Sequence, residues 1–278
     1  MNDFEKKYYE ADSLWSGEML TDVGNQTRIQ ETARIIPEDV TTLADIGCGN
    51  GVFENYLISN RPSLQIIGID RSEAALKYVK TDKKLGDILN IPLGDKGYDC
   101  VSCLEVLEHI PVSVYDRALS ELARVSSKYI IISVPYNEDL LSNSTQCPGC
   151  KAIFNYDLHL RSYSDEVLKT LFEPYGFKLV EGCTLIKSKV LWGLDTIKSI
   201  VGIRPIHKRT FYSPICPICG YENLNFSPSQ HVHNEQVTGI SNQSVFNIKG
   251  VAKSIIKGIW PKKEFPGYWV IALYKKAN

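Results

Sequence analysis

The 278 residues are 44% hydrophobic and 23% charged, an ordinary composition that can build one α/β domain with sizeable insertions. The formal net charge of −1 divides unevenly: residues 1–184 hold 18 Lys+Arg against 28 Asp+Glu, and residues 185–278 hold 13 against 4. No apolar run approaches the roughly 18 residues of a membrane span, and the start, Met1 to Lys7, lacks the apolar core of a secretory signal, so a cytoplasmic chain is expected.

Residues 1–40 read as a polar helical cap, with Tyr8, Tyr9 and Trp15 near its start. Folding over a ligand pocket and plain packing on a sheet are both open for it. The stretch Leu43 to Gly51 then climbs through an apolar run to Asp45 and breaks into Gly47, Gly49 and Gly51, after which a helical pattern starts at Val52. That is a strand, a tight turn and a helix start, and its glycines allow close backbone approach to a ligand. Leu64–Asp70 is a second strand ending in an acid, and Ser72–Lys80 a helix capped by Ser72. Lys84–Ile88 reads as a short third strand, Tyr98–Leu104 as a fourth, Val114–Val125 as a helix and Tyr129–Val134 as a buried fifth strand. Val167–Phe172 is helical, Phe177–Glu181 a sixth strand and Trp269–Tyr274 a final one. More than 80 residues separate those last two, so an insertion splits a would-be hairpin. Alternating strands and helices imply a doubly wound sheet with its ligand at the strands' carboxyl ends.

Asp70 follows Gly47 by about the interval at which an acid on the second strand of such a fold meets ribose hydroxyls, whose protons a carboxylate accepts. Asp87-Ile88 offers a carboxylate for an exocyclic amine and an apolar wall for a purine. Glu105 falls at the mouth of the fourth strand. A third glycine two residues after the second, not three, disfavours the Gly-x-Gly-x-x-Gly turn of a dinucleotide dehydrogenase.

In series, Asp45-x-Gly47-x-Gly49-x-Gly51, Gly68-Ile69-Asp70, Gly86-Asp87-Ile88, Tyr98-Asp99 and Glu105-Val106-Leu107-Glu108-His109-Ile110 resemble a class I S-adenosylmethionine-dependent methyltransferase. The resemblance covers roughly residues 40–184 and the last strand. It implies an α/β, Rossmann-like doubly wound seven-stranded sheet with strand seven antiparallel. It also implies S-adenosylmethionine as cofactor, bordered by Asp45, Gly47, Gly49 and Gly51 at its methionine and ribose parts. Asp70 and Arg71 then fall at the ribose, Asp87 and Ile88 at the adenine, and Glu105 near the sulfonium. The expected domains are a helical cap (1–40), a cofactor-binding core (41–184), a basic insertion (185–266) and a final core strand (267–278).

Methyl transfer needs in-line alignment of the acceptor and, for a hydroxyl nucleophile, a base. His109 and His159 are the candidate bases, with Glu105 beside them, although each histidine also suits a structural role. Glu105, Glu108 and His109 at helical offsets would share one face, and two carboxylates with an imidazole suit Mg²⁺ or Mn²⁺. The motif is similar to that of metal-dependent ubiquinone-biosynthesis and small-RNA O-methyltransferases, in which a downstream histidine joins; His159 would be that histidine here.

Cys147-Pro148-Gly149-Cys150 and Cys216-Pro217-Ile218-Cys219 supply four thiolates for one closed tetrahedral zinc site, tying an insertion after strand five to the block between strands six and seven. A site with no open position is structural. Cys100 and Cys103, on one strand, are expected to be core, as is Cys183. The inserted block has helical spacing over 190–201 and 245–260, a stripe of Lys249, Lys253 and Lys257, and the basic run Arg204–Arg209, and the tryptophans Trp192, Trp260 and Trp269 are counted with it as interfacial aromatics. Such a face suits an anionic membrane surface, and hence peripheral attachment with a lipid-linked acceptor; it also suits RNA, or simple core packing. The expected function is methyl transfer to oxygen of a small-molecule, lipid-linked or glycan-like acceptor. An RNA methyltransferase is the alternative, and a non-catalytic cofactor-binding zinc module is the alternative of another class.

Overall fold

The structure is a computed structural model that describes residues 9–10, 12–15, 23–141, 144–180, 184–186, 216–221 and 269–277. The helices expected over 190–201 and 245–260, their lysine stripe, the basic run 204–209, Trp192, Trp260 and Cys183 lie outside those residues. Among the described residues no helix is long and apolar enough to cross a membrane.

A short helix α1 (Asp12–Trp15) and a longer α2 (Val23–Ile35) precede β1 (Thr42–Ile46), α3 (Val52–Asn60), β2 (Gln65–Asp70), α4 (Glu73–Leu76) and β3 (Asp82–Leu85). Next come β4 (Tyr98–Leu104), α5 (Tyr115–Val125), β5 (Ser126–Pro135), a hairpin of β6 (Ser144–Gln146) and β7 (Ile153–Asn155), then α6 (Asp165–Thr170). The strands β8 (Phe177–Leu179), β9 (Thr184–Ile186) and β10 (Trp269–Lys276) complete the described elements.

The main sheet runs β3-β2-β1-β4-β5-β10-β8. It is parallel through β5, and β10 enters antiparallel to both β5 and β8. The antiparallel seventh strand is as the motif series implied. β9 pairs with β10 after β8 does, so the sheet continues to Ile186, two residues past the boundary expected at 184. The order reverses between β1 and β4, which opens a crevice at their carboxyl ends.

Period-two alternation loads both faces of this sheet. Ile130, Ile132, Val270, Ala272 and Tyr274 pack with Leu119, Leu122 and Phe172 from the α5–α6 side. Ile131 and Ile271 pack with Ile29, Phe53 and Leu57 from α2 and α3. Cys100 and Cys103 are fully buried in these two opposite clusters, as their spacing on one strand requires.

Two elements differ from the sequence expectation near the ligand crevice. The helix after β2 is four residues long, not nine. Lys83 Nζ donates to the carbonyls of Leu76 (2.7 Å) and Val79 (3.0 Å), taking the acceptors that a longer helix would have used internally. β3 ends at Leu85, so Asp87 and Ile88 stand in the turn beyond it, held by Gly86 N–H donating to the Asp70 carbonyl (2.9 Å).

Candidate functional site

The glycine turn is built from left-handed backbone: Gly47, Gly49 and Gly51 have φ of 79°, 55° and 78°. A Cβ on Gly47 would collide with the Val106 side chain, and one on Gly49 would lie 2.8 Å from the Trp15 ring. Gly47→Ala therefore combines a disfavoured backbone with a steric clash. We expect it to cost about 1–3 kcal/mol, read as a melting temperature lowered by several degrees.

Asp70, nearly buried at the end of β2, organises this turn. Its Oδ2 accepts from Gly49 N–H (2.8 Å) and its Oδ1 from Ser72 N–H (2.8 Å). Burial raises its pKa, and those N–H bonds oppose the rise. A carboxylate has about four acceptor positions, so two remain for ribose hydroxyls. Beside it lies a cavity of about 350 Å³ lined by Tyr9, Glu10, Arg71, Ser72, Leu85, Gly86 and Asp87. The expected ribose and adenine residues Arg71 and Asp87 thus face one space, and Ile88 packs on the adjoining core. The N-terminal segment closes over it. Arg71 stacks on the Tyr9 ring (4.6 Å), Ser72 Oγ donates to the Tyr9 carbonyl (2.7 Å), and Asn50 Nδ2 donates to the Trp15 carbonyl (3.0 Å). A nucleoside with a charged tail fits this arrangement.

Asp45 lies under the turn and accepts from Ser102 Oγ (2.6 Å). Burial lifts its pKa to about 7, against the pull of Ser102 and Arg28, and Glu54, buried nearby, is also shifted up by burial and by the Asp45 charge. The folded state therefore holds the Asp45 proton more tightly than the unfolded chain. That contribution is fully present below about pH 4 and is lost as pH rises through about 7. In thermal melts of the ligand-free protein, Asp45→Asn should flatten the loss of stability between pH 5 and 8 (buffer values chosen to span the shift, roughly 1.4 kcal/mol per unit). Glu54 stays in both proteins but loses the repulsion of the Asp45 carboxylate in the variant, so the difference reports Asp45 together with its effect on Glu54. Parallel pH curves for the two would contradict the assignment.

Glu105 departs from its expected role as a metal ligand. Its backbone is left-handed (φ 57°), and only a 3-10 turn, Leu107–His109, follows. Its carboxylate accepts from Ser133 Oγ (2.5 Å) on β5 and from Trp269 Nε1 (2.7 Å) on β10. Glu105, Glu108 and His109 therefore do not share a helical face. Glu108, His109 and His159 do gather, with ligand atoms within 4.8 Å of one another. Glu108 is fully buried and neither of its carboxylate oxygens has a hydrogen-bond partner among the described residues; burial, with Glu105 close by, shifts its pKa well up. Burial and the adjacent His159 push the His109 pKa down to about 3, so this imidazole is neutral at physiological pH. The rings of His109 and His159 meet edge to face at 4.9 Å. His159 Nδ1 lies 2.6 Å from Glu138 Oε2, and since an ionised carboxylate can only accept, Nδ1 is the donor of this pair.

A family profile described as "Methyltransferase domain" matches residues 25–182. The chain belongs to the methyltransferase-domain family. It is 32% identical over 139 residues to an uncharacterised protein of Methanocaldococcus jannaschii, covering 49% of this chain and 54% of that one. It is 33% identical over 107 residues to a ubiquinone biosynthesis O-methyltransferase of Nitrosospira multiformis, covering 34% and 43%. The chain thus spans about half, or less, of the length of the curated relatives it matches. Among solved structures, magnesium protoporphyrin IX methyltransferase of Synechocystis PCC 6803 with bound SAH superposes with a TM-score of 0.52 at 18% identity, over 66% of this chain and 93% of that one. A SAM-dependent methyltransferase of Archaeoglobus fulgidus gives 0.51 at 18% identity, over 97% and 99%. These likenesses establish the fold.

In this methyltransferase domain the four expected cysteine ligands converge. Cys147, Cys150, Cys216 and Cys219 place their sulfurs within 4.8 Å of one another, with Cys147–Cys219 and Cys150–Cys216 each at 3.7 Å. Four thiolates about 2.3 Å from a tetrahedral zinc would stand about 3.8 Å apart, whereas a disulfide is about 2 Å long. The two turns match: Lys151 N–H donates to Cys147 O and Gly220 N–H to Cys216 O, both at 3.0 Å, with left-handed Lys151 and Gly220. The donor set and its spacing fit a zinc ion.

Several residues of the site had no sequence signal. Arg28 of α2 reaches over Trp269 and Ser133 toward Glu105, at 5.9 Å from the Trp269 ring and 3.4 Å from Ser133 Oγ. Glu138 and Asn155 matter through partners 21 and 17 residues away, at spacings that follow no helical or strand period.

Proposed function

We propose that this domain transfers a methyl group from S-adenosylmethionine to an oxygen of a small-molecule, lipid-linked or glycan-like acceptor. The observation that carries the reading is the glycine turn gripped by Asp70 beside the cavity lined by Arg71 and Asp87. Asp70 would hold the ribose, Asp87 and Ile88 the adenine, and the Gly47–Gly51 backbone the methionine part. The bound cofactor supplies an activated methyl on a sulfonium. On the acceptor side, Glu138 orients His159 so that the other ring nitrogen is available to take the acceptor's hydroxyl proton. The similarity to a ubiquinone biosynthesis O-methyltransferase supports oxygen as the methylated atom. A divalent ion, Mg²⁺ or Mn²⁺, on Glu108, His109 and His159 is a second reading, supported by a buried Glu108 carboxylate that has no hydrogen-bond partner among the described residues. The four cysteines are read as a structural zinc site. The basic C-terminal part, residues 185–278, supports an acceptor carried on an anionic surface, while an RNA acceptor would bring binding that weakens steeply with salt.

The test pairs calorimetry with S-adenosylhomocysteine and label transfer from methyl-tritiated cofactor into lipid, small-molecule and RNA fractions of a cell extract. Wild-type protein should bind the product and label an organic or lipid fraction, and His159→Gln should lose labelling while keeping binding. Labelling that survives His159→Gln removes the base role. Labelling abolished by chelation and restored by Mg²⁺ favours the second reading, and absence of product binding overturns the whole assignment.

A further inference from the structure

The hairpin that carries one cysteine pair also holds the acceptor-side histidine. β6 and β7 pair over only three positions, Ser144↔Asn155, Thr145↔Phe154 and Gln146↔Ile153. Their connection is the Cys147–Cys150 turn, closed by Cys147 N–H donating to the Ala152 carbonyl (2.9 Å). A two-stranded hairpin of this size is not stable in water by itself. What anchors it beyond its own pairing is therefore decisive, and the structure shows an anchor at each end. At the tip are the four sulfurs, two of which come from residues 216–219, far along the chain.

At the foot is Asn155, only 9% exposed. Its Nδ2 donates to Glu138 Oε1 (3.1 Å) and lies 3.4 Å from the Leu140 carbonyl. Its Oδ1 accepts from Asp157 N–H (2.9 Å) and, more weakly, from His159 N–H (3.4 Å). Glu138 gives its other oxygen to His159 Nδ1 at 2.6 Å. One carboxylate is thus held by the hairpin on one side and holds the imidazole on the other. Leu160 N–H, donating to the Glu108 carbonyl (2.8 Å), pins the far side of the same loop, so the backbone on either side of His159 is tied down.

We propose that a metal ion on the four cysteines orients His159 through the β6–β7 hairpin and Asn155, so that the acceptor-side imidazole is set only in the metal-loaded chain. Asn155 is the positioning residue of this relay. The inference rests on the zinc reading above, and it holds whether His159 serves as base or as ligand. Zinc loss, by chelation or thiol oxidation, would release the hairpin tip, then Asn155, then Glu138, and the cofactor pocket at β1–β3 would be untouched.

The probe is zinc itself, with full-length protein and no acceptor. An imidazole N–H bonded to a buried carboxylate exchanges slowly with water and gives a proton resonance well downfield of the amides, so the His159 Nδ1–H signal reports the orientation directly. It is assigned by its loss in His159→Gln. Asn155→Ala and Asn155→Asp should both keep one zinc per chain and wild-type binding of S-adenosylhomocysteine, yet lose the signal. Asp keeps the acceptor for Asp157 N–H but replaces the donor that holds Glu138, so it separates the relay from a turn-forming role. Stripping zinc should remove the signal and restoring zinc should return it. A signal retained in Asn155→Asp, or in zinc-free protein that still binds the product, overturns the proposal. A zinc-loaded wild type without the signal also overturns it while leaving the zinc reading intact, and a wild type without zinc defeats both.

Discussion

Replacing Asp70 with Ala is expected to weaken S-adenosylhomocysteine binding by at least about 100-fold, roughly 2.7 kcal/mol, measured by calorimetry on protein shown to be folded. Two losses add. The ribose loses its acceptor, and the glycine turn loses the carboxylate that ties Gly49 N–H to β2 and Ser72 N–H to the start of α4. Asp70→Asn should fall between the two. Its side chain keeps one carbonyl oxygen as acceptor but presents an NH₂ to one of the two backbone N–H groups, which leaves that donor unsatisfied. Equal affinity in Asp70→Ala and wild type would mean that the cavity beside Arg71 and Asp87 does not hold the nucleoside.

The second large effect is expected at the cysteines. Purified wild type should carry about one zinc per chain, and Cys219→Ser should carry almost none after dialysis against a chelator. A seryl hydroxyl stays protonated at neutral pH and is a much weaker zinc ligand than a thiolate, so three thiolates and a hydroxyl hold the ion less tightly than four thiolates. Binding at structural zinc sites is worth about 10–16 kcal/mol in small peptides at neutral pH. In this chain most of the core is built independently of the site. The loss should therefore be local: faster proteolysis between residues 140 and 160, with little change in product binding at the β1–β3 end. Cys219 is exposed, so its replacement does not open a core cavity. Zinc retained at wild-type level in Cys219→Ser would refute a four-thiolate site.

The comparison between chain and fold is uneven in an instructive way. The main strands and the glycine turn were legible as elements because they depend on neighbours within a few residues, whereas the bounds of β3 and β5 were shifted. Gly47, Gly49 and Gly51 are where backbone must take positive φ, and the acid closing β2 stands where expected. The two Cys-Pro-x-Cys turns were equally legible, since each is a local structure with its own backbone bonds. Glu105 was misread for the complementary reason. Helical offsets put Glu105, Glu108 and His109 on one face only if the segment is helical, and the chain breaks there into a left-handed residue and a 3-10 turn. Trp269 and Ser133, which capture its carboxylate, come from strands brought alongside by sheet order.

The sequence alone therefore determined the alternation of strands and helices, the glycine turn with Asp45 below it and Asp70 at the end of the next strand, and the two Cys-Pro-x-Cys turns. All of these are written in residue types at short spacing, where local backbone preference and side-chain chemistry suffice. Only the tertiary structure decided where β10 enters the sheet, that the Glu105 carboxylate is taken by Ser133 and Trp269, and that Glu138 and Asn155 hold His159; it also brings together the four sulfurs that the sequence had assigned to one site. Those pairings join groups up to 164 residues apart. Strand register and packing of separate elements set them, and no local spacing carries that information.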